Sequence, residues 1–155
     1  MKRRAHAAWL PVVLAVVGSA LVAQGAGAQT RTTAGVQAGV SGDPGQFYFG
    51  GHLETEPIAD QLRFRPGVEI GIGDDVTVFA FNINLAYHFT TRRPQTWHIY
   101  AGAGPALNVT DTPGGSNTGG GFNVLVGAEH RGGLFAEFKV GAMDSPGVKF
   151  GVGYG

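Results

Sequence analysis

No cysteine occurs in the 155 residues. That excludes a disulfide framework, a thiol nucleophile and a Cys-ligated zinc site. It also excludes a lipoprotein anchor, which requires an acylated cysteine. Charge is sparse: Asp, Glu, Lys and Arg together make 14% of the chain, against about a quarter in soluble domains. The formal net charge is zero, so nothing points to a nucleic-acid partner. Helical periodicity is missing beyond the N-terminal segment. There is no phosphate-binding loop, no metal-ligand cluster and no basic recognition patch, and no cofactor or metal is expected.

Catalytic groups are also scarce. Beyond the N-terminal segment the serines are Ser41, Ser116 and Ser145, all in turn-rich stretches. His52, His98 and His130 have no evident nucleophile nearby, and His88 has only Thr90 two positions on. A triad is defined by hydrogen-bonded contact, and these spacings suggest none, so an enzyme is not expected. Asn108-Val109-Thr110 matches a glycosylation sequon and is read as coincidence.

Glycine is what the chain has in abundance, with 27 residues. No G-X-Y period accompanies it, which excludes collagen. The glycines lie inside alternating apolar runs, which excludes simple disorder.

The first residues read as an export signal. Lys2, Arg3 and Arg4 precede an apolar stretch over residues 7–23, and Ala26-Gly27-Ala28 supplies a small-x-small cleavage site. Pro11 and the short apolar length argue against a membrane anchor. Residues 1–28 are therefore expected to be a cleaved signal peptide and 29–155 a single domain. Loss of Lys2, Arg3 and Arg4 leaves a net charge of about −3.

Eight alternating runs follow, at roughly 32–40, 46–54, 62–72, 76–89, 96–108, 121–131, 134–142 and 147–154. Turn residues separate them: 41–45, 56–60, 73–75, Arg92-Arg93-Pro94, 111–120 (the longest loop), 131–133 and 144–146. Such gaps are mostly too short for crossovers, so the strands are expected to be antiparallel and joined in order.

Side chains on a strand alternate between two faces. One face reads Phe47, Phe49, Leu53, Phe64, Ile70, Phe81, Ile83, Ile99, Val126, Phe138, Phe150 and Tyr154, and no charged residue falls on it. The other carries Arg63, Arg65, Glu69, Glu129, Glu137, Lys139 and Lys149 among Gly, Asn and Ala. A soluble sandwich would fill its polar face with Lys, Glu and Thr rather than glycine. Ten residues at ~3.3 Å each, tilted by ~40°, cross ~25 Å of apolar band. In lipid every backbone polar group must be paired, so eight such strands have to close on themselves.

The expected fold is thus all-β: an eight-stranded antiparallel up-and-down transmembrane β-barrel with its apolar face outward. With a periplasmic N-terminus, Phe64, Tyr87, Phe89, Trp97 and Tyr154 form an inner aromatic girdle. Phe47, Phe49, Phe79 and Phe122 form an outer one. Pro66 and Pro105 sit within apolar faces, where a closed sheet offers no free edge, and mark bulges or ends of the paired region.

The cleavage site Ala26-Gly27-Ala28, the eight runs and the closing Val148-Lys149-Phe150-Gly151-Val152-Gly153-Tyr154 resemble small bacterial outer-membrane β-barrel proteins. The nearest types are the transmembrane domain of outer membrane protein A and the protein X group. The resemblance implies the outer membrane of a diderm bacterium, contact with its lipid and lipopolysaccharide, insertion by the barrel-assembly machinery, and a monomer. Three features depart from the family's usual pattern. Gly155 follows Tyr154 where the family usually finishes on an aromatic residue, and neither a peptidoglycan-binding domain nor the long protruding strands of adhesive members is read in the sequence.

Two candidate sites emerge. Arg63, Arg65, Glu69, Glu129, Glu137, Lys139 and Lys149 are expected to form a lumen ion-pair network that plugs the barrel, with Glu137 or Lys139 near Lys149. Exchange of partners would turn the plug into a gate for small solutes. Asp43, Asp74, Asp75, Asp111 and Asp144 fall in the outward turns and form a rim suited to cations bridging to lipopolysaccharide, or simply suit turns as Asp does. The expected role is structural, in membrane integrity. The alternatives are a narrow pore and a soluble periplasmic lipocalin-like barrel, with aromatics turned inward around an apolar ligand.

Overall fold

The computed structural model describes residues 32–90 and 95–155. The signal segment 1–28 and the Arg92-Arg93 turn lie outside the described residues. Eight strands follow one another: β1 (Thr33–Gly42), β2 (Gly45–Glu54), β3 (Leu62–Gly73), β4 (Val76–Phe89), β5 (Trp97–Thr112), β6 (Gly115–His130), β7 (Leu134–Met143) and β8 (Val148–Tyr154). Each pairs antiparallel with the next, and β8 returns to β1 from Val36↔Tyr154 to Ser41↔Lys149, closing the barrel. Closure leaves no sheet edge along the wall, which is what the alternating pattern requires once its apolar face turns outward.

Phe81 is 42% exposed, Ile99 54% and Phe138 42%, while Arg65, Glu137 and Lys149 are 3–5% exposed. Buried polar side chains outnumber buried apolar ones. The inward-aromatic, lipocalin-like alternative is therefore overturned, because the interior is ionic and the exterior apolar. The inner apolar contribution is small and local: Leu125, Phe135, Val78 and two tyrosines, Tyr48 and Tyr100.

The aromatic residues segregate by height. Tyr87 and Phe89 meet edge to face at 5.2 Å, and Trp97 packs against His130 at 5.0 Å, all at the end carrying the β2–β3, β4–β5 and β6–β7 connections. Phe47, paired with Ile72, and Phe122, paired with Ala142, lie toward the opposite end.

One expectation about the opposite end is corrected. The stretch 111–120 is not a loop, since β5 and β6 are 16 residues each and pair as far as Thr112↔Gly115. The chain reverses at Pro113-Gly114, followed by Gly115 at φ 135°, a backbone angle that an L side chain rarely adopts. Small polar residues pair readily where both faces of a ribbon meet water. The β6–β7 ladder stops at Gly121↔Met143, so residues 115–120 at the start of β6 have no ladder partner on β7, while β5 stays paired with β4 as far as Thr77↔Asp111.

The prolines resolve without bulges. The β4–β5 ladder lapses where Ile83 and Asn84 face Pro105 and Gly104, yet resumes in the same register on either side. Pro66 lies one residue past the end of the β2–β3 ladder at His52↔Gly67. Phe64, two residues before it, sends its backbone N–H and C=O toward Thr55 on the β2 side. Pro66 shares that side and stands opposite Leu53, so its missing N–H falls in a gap of the β2–β3 pairing, between His52↔Gly67 and the Thr55–Phe64 bonds in the same register.

Candidate functional site: the charged lumen

Lumen-facing positions on β2, β3, β7 and β8 build a continuous chain of alternating charge. At one end Arg63 donates to Glu54 Oε1 at 3.0 Å. Glu54 Oε2 stands 3.9 Å from Arg65 Nε. Arg65 donates to Glu137 Oε2 at 2.7 Å, and the Tyr100 hydroxyl donates to the same oxygen at 3.0 Å. The other Glu137 oxygen lies 3.6 Å from Lys139 Nζ. Lys139 donates to Glu69 Oε1 at 2.5 Å and Lys149 to Glu69 Oε2 at 2.6 Å. Gln37 adds a bond to Glu69 Oε1 at 2.9 Å.

Every carboxylate in this chain touches two cations. That arrangement offsets the desolvation of a buried charge, which is costly when unpaired. Aromatic faces contribute as well: the Arg65 guanidinium lies 5.0 Å from the Tyr100 ring centre and 5.4 Å from that of Phe135, and Lys149 Nζ lies 5.1 Å from Tyr48.

Glycine makes room for these groups. A Cβ on Gly127 would strike the Tyr100 ring, and one on Gly151 would strike the Tyr48 hydroxyl. The Tyr100 ring lies over its ladder partner Gly127 on β6, and the Tyr48 ring extends past β1 to Gly151 on β8, because neither glycine has a side chain in the way.

The seven sequence-predicted charges do not all join one network. Arg65, Glu69, Glu137, Lys139 and Lys149 are buried and linked, and Arg63 is a third exposed at the rim. Lys149 stands opposite Lys139 in the β7–β8 ladder, and its carboxylate partner is Glu69 from β3 rather than Glu137. Glu129 stands apart from the chain. Its carboxylate lies with Glu54 and the His88 imidazole, one ligand-type atom from each falling within 4.8 Å of the others. Sequence reasoning missed Glu54 and its link to His88. The signal was present: Glu54 shares the phase of Tyr48 and His52, and His88 that of Asn82 and Asn84.

The predicted rim is dispersed. Asp43, Asp74, Asp75, Asp111 and Asp144 are exposed at one end of the barrel. Asp111 accepts from the Ser116 hydroxyl at 2.8 Å, and the Asp43 carbonyl accepts from the Gly147 amide at 2.8 Å. Among the described residues no three of these carboxylates converge. The same end is closed by the β7–β8 turn, where Ser145 and Pro146 are buried and Ser145 accepts from Asn108 at 3.2 Å. Asn108 is 2% exposed, so the sequon points its amide into the lumen.

No family model and no curated protein matches the chain. Solved structures do. Neisserial surface protein A is similar with a TM-score of 0.57 and 16% identity, covering 79% of this chain and 94% of that one. The N-terminal β-barrel domain of OprF from Pseudomonas aeruginosa is similar with a TM-score of 0.59 and 16% identity, covering 80% and 95%. At this identity the likeness is one of fold: an eight-stranded barrel of the small outer-membrane type.

Proposed function

We propose that the chain is an integral outer-membrane barrel with a structural role, its lumen sealed by the ion-pair chain and its wall contributing to membrane integrity. One observation carries this reading: the exterior is apolar around the whole circumference while the interior holds paired charges. A barrel in water would expose that apolar surface, far beyond the few hundred Å² that soluble monomers usually leave open. The fold shared with the two solved barrels supports the same location.

In this orientation the β2–β3, β4–β5 and β6–β7 connections face the periplasm, and the β5–β6 hairpin and the aspartates face outward, toward lipopolysaccharide. Insertion by the barrel-assembly machinery and a monomeric state belong to the same proposal, as does the absence of covalent chemistry. Fractionation of cells expressing the chain tests it. Recovery in the outer membrane, with slower gel migration after boiling in detergent, is the expected result; recovery in the soluble periplasmic fraction overturns it.

A narrow pore is the second reading. It is favoured by the 3.6 Å gap between Glu137 and Lys139, a pair close enough to exchange partners along the chain. Planar-bilayer recording separates the two, since a sealed barrel stays silent.

A further inference from the structure

We infer that Glu54, His88 and Glu129 form a binding site for one transition-metal dication of the zinc class, at the end of the lumen that carries the β2–β3 connection. The three residues come from β2, β4 and β6, alternate strands of the barrel, and point inward from its wall. Each offers one ligand-type atom, and the three atoms lie within 4.8 Å of one another.

The position of His88 goes beyond a chance cluster. Its side chain is 9% exposed and its Nε2 has no hydrogen-bond partner. That nitrogen stands 3.3 Å from Glu54 Oε1 without hydrogen-bond alignment. Two ligands at ~2.0–2.1 Å from a tetrahedral zinc are separated by ~3.3 Å, so the pair already has the spacing of neighbouring ligands. The imidazole ring is stacked on Tyr100, with centroids 5.3 Å apart and planes at 19°, which holds Nε2 toward the carboxylate. Glu129 is half-buried and outside the ion-pair chain. It needs only a small side-chain movement to complete a three-ligand set with a fourth position open to water.

Charge decides what the site accepts. Two carboxylates and a neutral imidazole balance a dication. The surrounding cations are Arg63, at 3.0 Å from Glu54 Oε1, and Arg65, at 3.9 Å from Glu54 Oε2. Arg65 is engaged by Glu137, whereas Arg63 is at the rim with a side chain 32% exposed and Glu54 as its carboxylate partner. Arg63 therefore competes with the metal for one carboxylate. An imidazole in the set favours zinc, copper, nickel or iron over calcium and magnesium, which take oxygen donors. A solvent-reaching cleft lined by Glu54, Glu129, His52, Arg65, Tyr100 and Phe135 opens onto two of the three ligands, the carboxylates of Glu54 and Glu129.

Isothermal titration of the folded barrel in detergent micelles with zinc chloride tests the site, with calcium chloride as the hard-cation control. The expected result is one zinc per barrel and no competing calcium. His88→Ala and Glu129→Gln should each weaken zinc at least tenfold, since even outer-shell partners of metal ligands are worth 10–100-fold. Arg63→Ala should tighten it, because the competing guanidinium is gone. His130→Ala, on the outer wall against Trp97, should leave it unchanged. Boiling-dependent gel mobility establishes that each variant is folded, and Glu129→Gln, the nearly isosteric change at a half-exposed position, covers the case in which His88→Ala does not fold. No zinc binding at millimolar concentration overturns the site. So does zinc binding that folded His88→Ala and Glu129→Gln retain in full, or calcium binding as tight as zinc.

Discussion

Lys139 and Lys149 face each other as cross-strand partners on β7 and β8, and each places its ammonium on a different oxygen of the Glu69 carboxylate. Like charges directly opposite destabilise a pair of strands. Here the anion that relieves them comes from β3, on the far side of the lumen. The contact exists only when the barrel is closed, so it ties closure to charge neutrality.

Glu69 should consequently be the most sensitive polar position in the lumen. Glu69→Gln leaves two buried lysines together and is expected to cost about 3–5 kcal/mol, the usual loss when one partner of a buried pair is removed. Urea unfolding in lipid vesicles, followed by the fluorescence of Trp97, measures it. Adding Lys139→Met and Lys149→Met to the same variant should recover most of the loss, because replacing an entire buried ionic group with apolar side chains is often neutral or stabilising.

The glycines separate into those the barrel needs and those it tolerates. A Cβ on Gly104 would run into the Ile83 carbonyl and the Asn84 Cα, which are backbone and cannot swing aside. Gly120, near the β5–β6 turn, has nothing within 4 Å of the same position. Gly104→Ala should therefore lower the unfolding midpoint markedly or block formation of the heat-modifiable species, and Gly120→Ala should leave both unchanged. Equal behaviour of the two would mean that β4 and β5 are not held as closely as described.

Much of this architecture is legible in the primary structure because the two faces differ so sharply. Phe79, Phe81, Ile83, Leu85, Tyr87 and Phe89 alternate with Ala80, Asn82, Asn84, Ala86 and His88, and no other element reproduces a strict period of two over such a length. The length of β5 and β6 was not legible. Pairing outside lipid needs no apolar face, so Ser116, Asn117, Thr118 and Gly119 carry the composition of a loop while forming a ribbon. Partner choice in the lumen was not legible either. Arg65 meets Glu137 and Glu69 meets Lys149 across 72 and 80 residues, and the height of each group along the axis depends on the stagger of every strand between them. Glu54 escaped for a simpler reason: it is the last residue of the 46–54 run, where phase alone does not show whether a side chain reaches into the lumen or ends at the rim.

The outer wall gives a graded test of the membrane placement. Val126 is paired with Ala101 and Phe138 near mid-height, and Phe47 lies near the hairpin end with 75% exposure. Arginine on the lipid face of such barrels costs about 2–4 kcal/mol at the midplane and about 0–1 near the interfaces. Val126→Arg should accordingly reduce folding stability in vesicles by the larger amount and Phe47→Arg by the smaller. A similar effect at both positions would argue against a bilayer at this height.

The ion-pair chain predicts how the lumen responds when its centre is removed. Arg65 and Glu137 meet at 2.7 Å at the mid-point of the chain, with His52 3.1 Å from the guanidinium and Tyr100 on the carboxylate. The wild-type barrel should be silent in planar bilayers, since both ends of this contact are occupied and the β7–β8 turn closes the outer mouth. Arg65→Ala combined with Glu137→Ala deletes one cation and one anion together, so neither charge is stranded and the fold should persist. It also removes two long side chains from the middle of the ion-pair chain, between Glu54 and Lys139. Small openings are then expected in the double variant and absent from the parent. Conductance of the same size in both would show that ions pass by a route other than the one this pair blocks, and a silent double variant would place the seal higher, at Asn108 and Ser145.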